Sequence, residues 1–163
     1  RKALKKETEI AEMGSYEDGY SDDSRKGKVA WLTKNKKLRD DLDSFILGIN
    51  FQYFNEDISD LAESYQVTIY DNPADNYDWH QDHYDDDPPD DFKRNLSVSV
   101  CLSASDFYEG AEFFIKDGSE QNVRVFKMKY GDFIIFRSTT EHKVNALRKG
   151  ERLSLVSWYG TNL

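Results

Sequence analysis

The sequence predicts a mainly β protein with flanking helices, its strands forming an antiparallel sandwich or barrel. Three observations lead there: apolar residues change from helical to alternating spacing beyond about Ser64, the alternating runs are short, and turn residues separate them. LSVSVCLS (96–103) sets Leu96, Val98, Val100 and Leu102 on one face and small polar residues on the other, as a half-buried strand does. Similar runs are SYQVTIY, EFFIK, NVRVFKM, DFIIFRS, HKVNAL and RLSLVSWY. Turn signals stand between them at Asn72-Pro73, Glu109-Gly110, Asp117-Gly118, Gly131-Asp132 and Lys149-Gly150. A double-sheet jelly roll is one closed solution for so many short strands.

The first part of the chain, about 1–63, is expected to be helical, and the β-core to run from about 64 to 160. Residues 1–13, polar with sparse apolar positions at Leu4 and Ile10, suggest a short surface helix, and GSYEDGYSDDSRKG (14–27) an acidic loop. From Asn35 onward, Leu38, Leu42, Phe45, Ile46 and Ile49 recur at spacings of three and four, which makes one apolar helix face that packs on the body of the protein. With 163 residues, 38% of them hydrophobic, the chain 1–163 is expected to form one domain with a real core. It contains no internal repeat.

Charged residues make up 33% and the net charge is -9, which disfavours nonspecific nucleic-acid binding and makes a basic partner easier to accommodate. The single cysteine, Cys101, allows no internal disulfide and fits a reducing compartment. No apolar run approaches the roughly 18 residues needed to cross a bilayer, and RKALKKETEIAEMG lacks the apolar stretch of a signal peptide. The expectation is a soluble, cytoplasmic protein with neither membrane nor nucleic-acid partners.

The chemistry concentrates in two places. In YDWHQDH, His80 and Asp82 lie two apart, so on an extended segment both project to one face. An imidazole and a carboxylate so placed, joined by a distant histidine, make the facial triad of non-haem Fe(II), and His142 in STTEHKV is the candidate partner. The pair alone is weak evidence: with three His and 20 Asp, chance supplies a His-x-Asp in roughly one such chain in three.

Arg152 follows His142 by ten residues and shares a strand face with Ser154, opposite Leu153 and Leu155. An inward arginine needs an anion, and its planar fork suits a carboxylate, with Ser154 able to donate one more hydrogen bond. The bland alternative is an exposed salt bridge.

Together these segments, from about Arg25 to Gly160, resemble the prolyl-4-hydroxylase-like branch of the Fe(II)/2-oxoglutarate dioxygenases. Tyr70, His80-x-Asp82, RNLSVSVCLS, YEGAEFFI, GDFIIF, His142 and Arg152-x-Ser154 carry the likeness, in family order. It implies a double-stranded β-helix, a distorted, cupin-like jelly roll. It also implies Fe(II) on His80, Asp82 and His142, 2-oxoglutarate as co-substrate with its C5 carboxylate on Arg152, a further hydrogen bond from Tyr70, and ascorbate as an external reductant. The implied reaction uses O2 to hydroxylate an unactivated C–H bond, foremost of a prolyl residue in a peptide or protein, releasing succinate and CO2. Collagen-type members have lysine where this chain has Arg152, so the likeness is greater to arginine-bearing members.

Several neighbouring residues have plainer readings. His83, one past Asp82, is expected not to ligate; Trp158 and Cys101 are expected in the core. The acidic stretch HYDDDPPDDF, with its centre at 85–91, is either a solvated loop or a lid steering a basic peptide. Two other functions stay open on the residues alone: a zinc-bearing cupin hydrolase or isomerase, in which Arg152 has no evident task, and a catalytically silent β-sandwich binding module.

Overall fold

A computed structural model describes residues 10–13, 24–32, 36–61, 65–83, 92–118 and 122–162. Its elements run β1 (Ile10–Met13), β2 (Arg25–Leu32), α1 (Lys36–Ile49), β3 (Asp60–Leu61), β4 (Tyr65–Tyr70), β5 (Asn76–His80) and β6 (Phe92–Cys101). After a short 3₁₀ turn follow β7 (Tyr108–Gly110), β8 (Phe113–Lys116), β9 (Val123–Phe126), β10 (Phe133–Arg137), β11 (His142–Val144), β12 (Leu147–Gly150) and β13 (Arg152–Asn162). The chain is mainly β with one α-helix among the described residues, and all its strand pairs are antiparallel.

The strands hydrogen-bond in the order β10-β6-β13-β4-β2-β5-β11-β8-β9, while β7 and β12 form a separate pair. Strand β2 belongs to both halves of this order: Lys28–Leu32 pair with β4, and Arg25 and Lys26 pair with β5. Between them Gly27 has φ 142°, a conformation that side chains other than hydrogen disfavour, and the sheet curls there. The curl folds β5-β11-β8-β9 over the inner face of β6-β13-β4 and leaves a cavity between the two.

Alternation along the central strands then serves two interiors. On the outer face, Leu96 and Val98 of β6, Leu155 and Tyr159 of β13, Tyr65 and Val67 of β4 and Ala30 of β2 form one core with Ile46 of α1. The helix is further tied by Asp43, which accepts hydrogen bonds from the hydroxyls of Tyr65 and Tyr159, both at 2.9 Å. On the inner face a second core surrounds Tyr70, Cys101, Phe113, Phe136 and Val144.

Several expectations change. Ile10–Met13 is a strand paired with β2 instead of the end of a helix, and Arg25–Gly27 belong to β2 instead of an acidic loop; residues 1–9 and 14–23 lie outside the described residues. Thus, among the described residues before 64, the helical ones are α1 and the π-helical turn that extends it over Asn50–Phe54. The small polar face of β6 is not solvated, because Ser97 and Ser99 are buried and face inward beside Cys101. Phe45, placed on the buried helix face by spacing, is 45% exposed and meets Phe133 edge-on at the rim, which leaves Ile46 as the anchor at 1%. Ile46→Ala is expected to lower stability by about 2 to 5 kcal/mol, read by urea denaturation, because it empties a site that two tyrosine–aspartate hydrogen bonds hold in place.

Candidate functional site

His80 closes β5 and His142 opens β11, and the register sets the two directly opposite each other. Their rings lie 4.1 Å apart at 55°. Asp82 reaches the same point by a different route from the one its spacing suggests. The strand ends at His80, and Asp82 sits on a bend that the carbonyl of Ser138 holds, accepting from the N–H groups of Asp82 at 2.9 Å and His83 at 3.2 Å. Ser138 is itself fixed, its N–H donating to Asn95 and its hydroxyl 2.9 Å from that of Ser97. His83 takes no part in the cluster.

The arrangement leaves three ligand atoms converging. Asp82 Oδ1 lies 3.8 Å from His80 Nε2 and Asp82 Oδ2 lies 3.6 Å from His142 Nε2, and a set with one atom from each residue fits within 4.8 Å. Each histidine Nδ1 faces a backbone carbonyl, that of Asp78 at 2.7 Å and of Thr140 at 2.9 Å. A carbonyl only accepts, so Nδ1 carries the proton and Nε2 presents its lone pair, the outer bonding that orients metal-ligating imidazoles. Burial, reinforced by the nearby His142, lowers the His80 pKa to about 4, so the imidazole is neutral near pH 7. Two imidazoles and one carboxylate could hold a divalent cation, and the set suits Fe(II).

The cluster opens into a cavity of about 330 Å³ between the sheets. Arg152 also lines it, 1% exposed, on the same face of β13 as Ser154 and directly across from Tyr70 of β4. One guanidinium nitrogen donates to the Ser154 hydroxyl at 3.4 Å, a second lies 3.8 Å from the Met128 sulfur, and the buried Nε has no hydrogen-bond partner. Among the described residues no carboxylate pairs with it. A buried cation without a counter-charge is costly unless a ligand supplies one, so the exposed salt bridge is set aside. Burial pushes the Tyr70 phenol up to about 12, the Arg152 charge offsetting part of the rise, so it stays protonated and able to donate.

Other lining residues escaped the sequence reading. Trp158 is buried as expected, but against the cavity, with its indole N–H unpartnered. Arg94 lies 4.3 Å over its ring and donates to the Asp82 carbonyl at 3.4 Å. Tyr77 stacks on His80 at 3.4 Å, and Arg25 lies 4.5 Å over Tyr77. Gln66 and Thr68 share the parity of Tyr70 on β4, a signal that alternation already contained. The acidic 85–91 stretch lies outside the described residues.

A cupin-like jelly roll with two histidines and an aspartate converging beside a buried arginine defines a class of metal-dependent oxygenase folds. The chain belongs to the 2OG-Fe(II) oxygenase superfamily, whose profile matches residues 65–160. A PKHD-type hydroxylase of Prochlorococcus marinus (strain AS9601) is 36% identical over 66 residues, 40% of this chain and 29% of the relative, so the match spans under a third of that protein. A similar hydroxylase of Alteromonas mediterranea is 37% identical over 71 residues, 43% of this chain and 30% of the relative. Among solved structures, a Pseudomonas putida prolyl-4-hydroxylase shares the fold with a TM-score of 0.67 at 22% identity, covering 85% of this chain and 74% of its own. A Trichoplax adhaerens prolyl hydroxylase, solved with a hypoxia inducible factor oxygen degradation domain peptide fragment, gives a TM-score of 0.72 at 20% identity over 93% of this chain and 70% of that one.

The His80 environment also sets a pH dependence for the metal-free protein. The unfolded chain protonates this imidazole near 6.5, whereas the folded chain keeps it neutral down to about 4. Between these values the unfolded state binds more protons, so stability is full above 6.5 and declines as pH falls towards 4. Thermal melts across that window should show the decline in the wild type and a smaller one in His80→Gln, and an NMR titration should place the His80 midpoint near 4.

Proposed function

We propose that this chain is an Fe(II)- and 2-oxoglutarate-dependent dioxygenase that hydroxylates an unactivated C–H bond, foremost in a prolyl residue of a peptide or protein, with release of succinate and CO2. The observation that carries it is Arg152, a fully buried guanidinium with no carboxylate partner among the described residues, lining the same cavity as three converging atoms that could ligate a metal. The superfamily match and the hydroxylase names of the relatives support the reaction class, and the prolyl-hydroxylase names of two structural neighbours support the prolyl target.

In this reading His80, Asp82 and His142 hold the metal, and three protein ligands leave positions open for co-substrate and O2. Bound there, Fe(II) supplies the oxidising chemistry with O2 and 2-oxoglutarate. Arg152 pairs with the distal carboxylate of 2-oxoglutarate through its planar fork, and the protonated Tyr70 phenol and the Ser154 hydroxyl stand beside it. Phe113, Phe136 and Val144 line the cavity and keep water from the reacting centre. Protein groups thus orient and exclude; the chemistry belongs to the bound cofactor. A zinc hydrolase would leave the buried Arg152 without an anion to bind, and a silent binding module would have no use for paired histidines oriented by Asp78 and Thr140.

Two measurements check this reading. Calorimetric titration of 2-oxoglutarate into the Mn(II)-loaded protein should show Arg152→Ala weakened by roughly 30-fold or more, as truncating one partner of a buried charged pair costs about 2 to 5 kcal/mol. An unchanged affinity would sink the assignment. His80→Ala, Asp82→Ala and His142→Ala should each abolish succinate formation on addition of Fe(II), 2-oxoglutarate, ascorbate and a proline-containing peptide.

A further inference from the structure

We infer that the substrate of this site carries a carboxylate close to the carbon that is oxidised, and that Arg25 recognises it. The inference rests on the oxygenase reading above and names the substrate class for it. The protein as a whole carries a net charge of -9, yet among the described residues the cavity lining includes three arginines, Arg25, Arg94 and Arg152, and one carboxylate, Asp82. Low-dielectric walls focus the field of such arginines, which favours an anion beside them.

One anion does not account for this lining. Arg152 is assigned to the distal carboxylate of 2-oxoglutarate, whose other end belongs at the metal. Arg94 is placed over Trp158 and donates to the Asp82 carbonyl. Arg25 remains. It opens β2 directly across from Tyr77 of β5, so the two side chains share a face, and its guanidinium lies 4.5 Å over the Tyr77 ring. Tyr77 in turn stacks on His80 at 3.4 Å, which places Arg25 one aromatic ring from the metal cluster.

The Arg25 guanidinium has no carboxylate partner among the described residues, and its buried Nε has no hydrogen-bond partner. A guanidinium stacked on an aromatic face keeps its N–H groups in its own plane, free to grip a carboxylate with two parallel bonds. A charge fixed in this way by Tyr77 orients a substrate as well as attracting it. The carboxylate has two sources: the α-carboxylate of a free amino acid, or an acidic side chain beside the target residue in a peptide.

Paired probes on the protein loaded with Mn(II) and 2-oxoglutarate separate these and test the inference. L-proline is compared with L-prolinamide, and acetyl-Pro-Asp-amide with acetyl-Pro-Asn-amide, by calorimetric titration. At least one acid should bind on the order of tenfold tighter than its amide counterpart; the first pair identifies a free amino acid, the second a peptide. Arg25→Gln should level that ratio, Arg25→Lys should restore part of it, and 2-oxoglutarate affinity should stay within about twofold in both, which also shows that they are folded. Equal or undetectable binding of acid and amide in both pairs overturns the inference, as does a preference that persists in Arg25→Gln. A fall in 2-oxoglutarate affinity on losing Arg25 overturns it too, by assigning this arginine to the co-substrate. Failure of the Arg152 test above would instead remove the oxygenase reading, so the two failures are read from different ligands.

Discussion

The structure depends on the strict two-sidedness of β13. Its odd and even residues face different interiors: Leu155 and Tyr159 meet α1, while Arg152, Ser154 and Trp158 face the cavity. Strand β13 lies between β6 and β4, hydrogen-bonded to both, so a slip of one residue would drive the Arg152 charge against Ile46 and turn leucine towards the metal cluster. The apolar core beneath α1 therefore holds the register that positions the arginine, and stability and function share one constraint.

That register also explains how a charged group comes to be buried at all. A guanidinium whose hydrogen bonds go to a serine hydroxyl and a thioether sulfur, with no carboxylate partner among the described residues, is unfavourable in the ligand-free fold. The cost falls on a frame with large reserves, since β13 is sandwiched between two full strands and the outer core closes over it. Binding of an anion then gains what folding left unsatisfied, a reason for such a site to be selective for a charged co-substrate. The histidines follow the same logic with opposite sign. Their Nδ1 protons are satisfied by backbone carbonyls and burial keeps His80 neutral, so the fold itself orients the atoms proposed as metal ligands.

The two halves of the site are joined through β6 and Ser138. Ser97 of β6 meets Ser138, whose carbonyl shapes the bend that carries Asp82, while neighbouring Ser99 and Cys101 face the same interior as Arg152. The small side chains of LSVSVCLS, which by themselves suggest a solvated face, make room for the cavity and for this hydrogen-bonded junction. Small polar residues on a strand have two meanings, water or a binding site, and local pattern does not separate them.

Much was legible in the sequence because it depends on period and order. Alternation located β4, β6, β10 and β13, helical spacing located α1, and parity alone placed Arg152 and Ser154 together and opposite Leu153 and Leu155. Motif order from Tyr70 to Ser154 was enough to indicate the superfamily. Tertiary structure alone decided the rest. Arg25–Gly27 read as an acidic loop until pairing with β5 made them the corner of the sheet, and Asp82 reached the cluster through a bend held by Ser138 and not through strand alternation. The Arg25–Tyr77–His80 stack joins residues far apart in the chain. Period is a property of neighbours along a chain, which sequence records, whereas register, curl and the meeting of charges are properties of pairs brought together from afar.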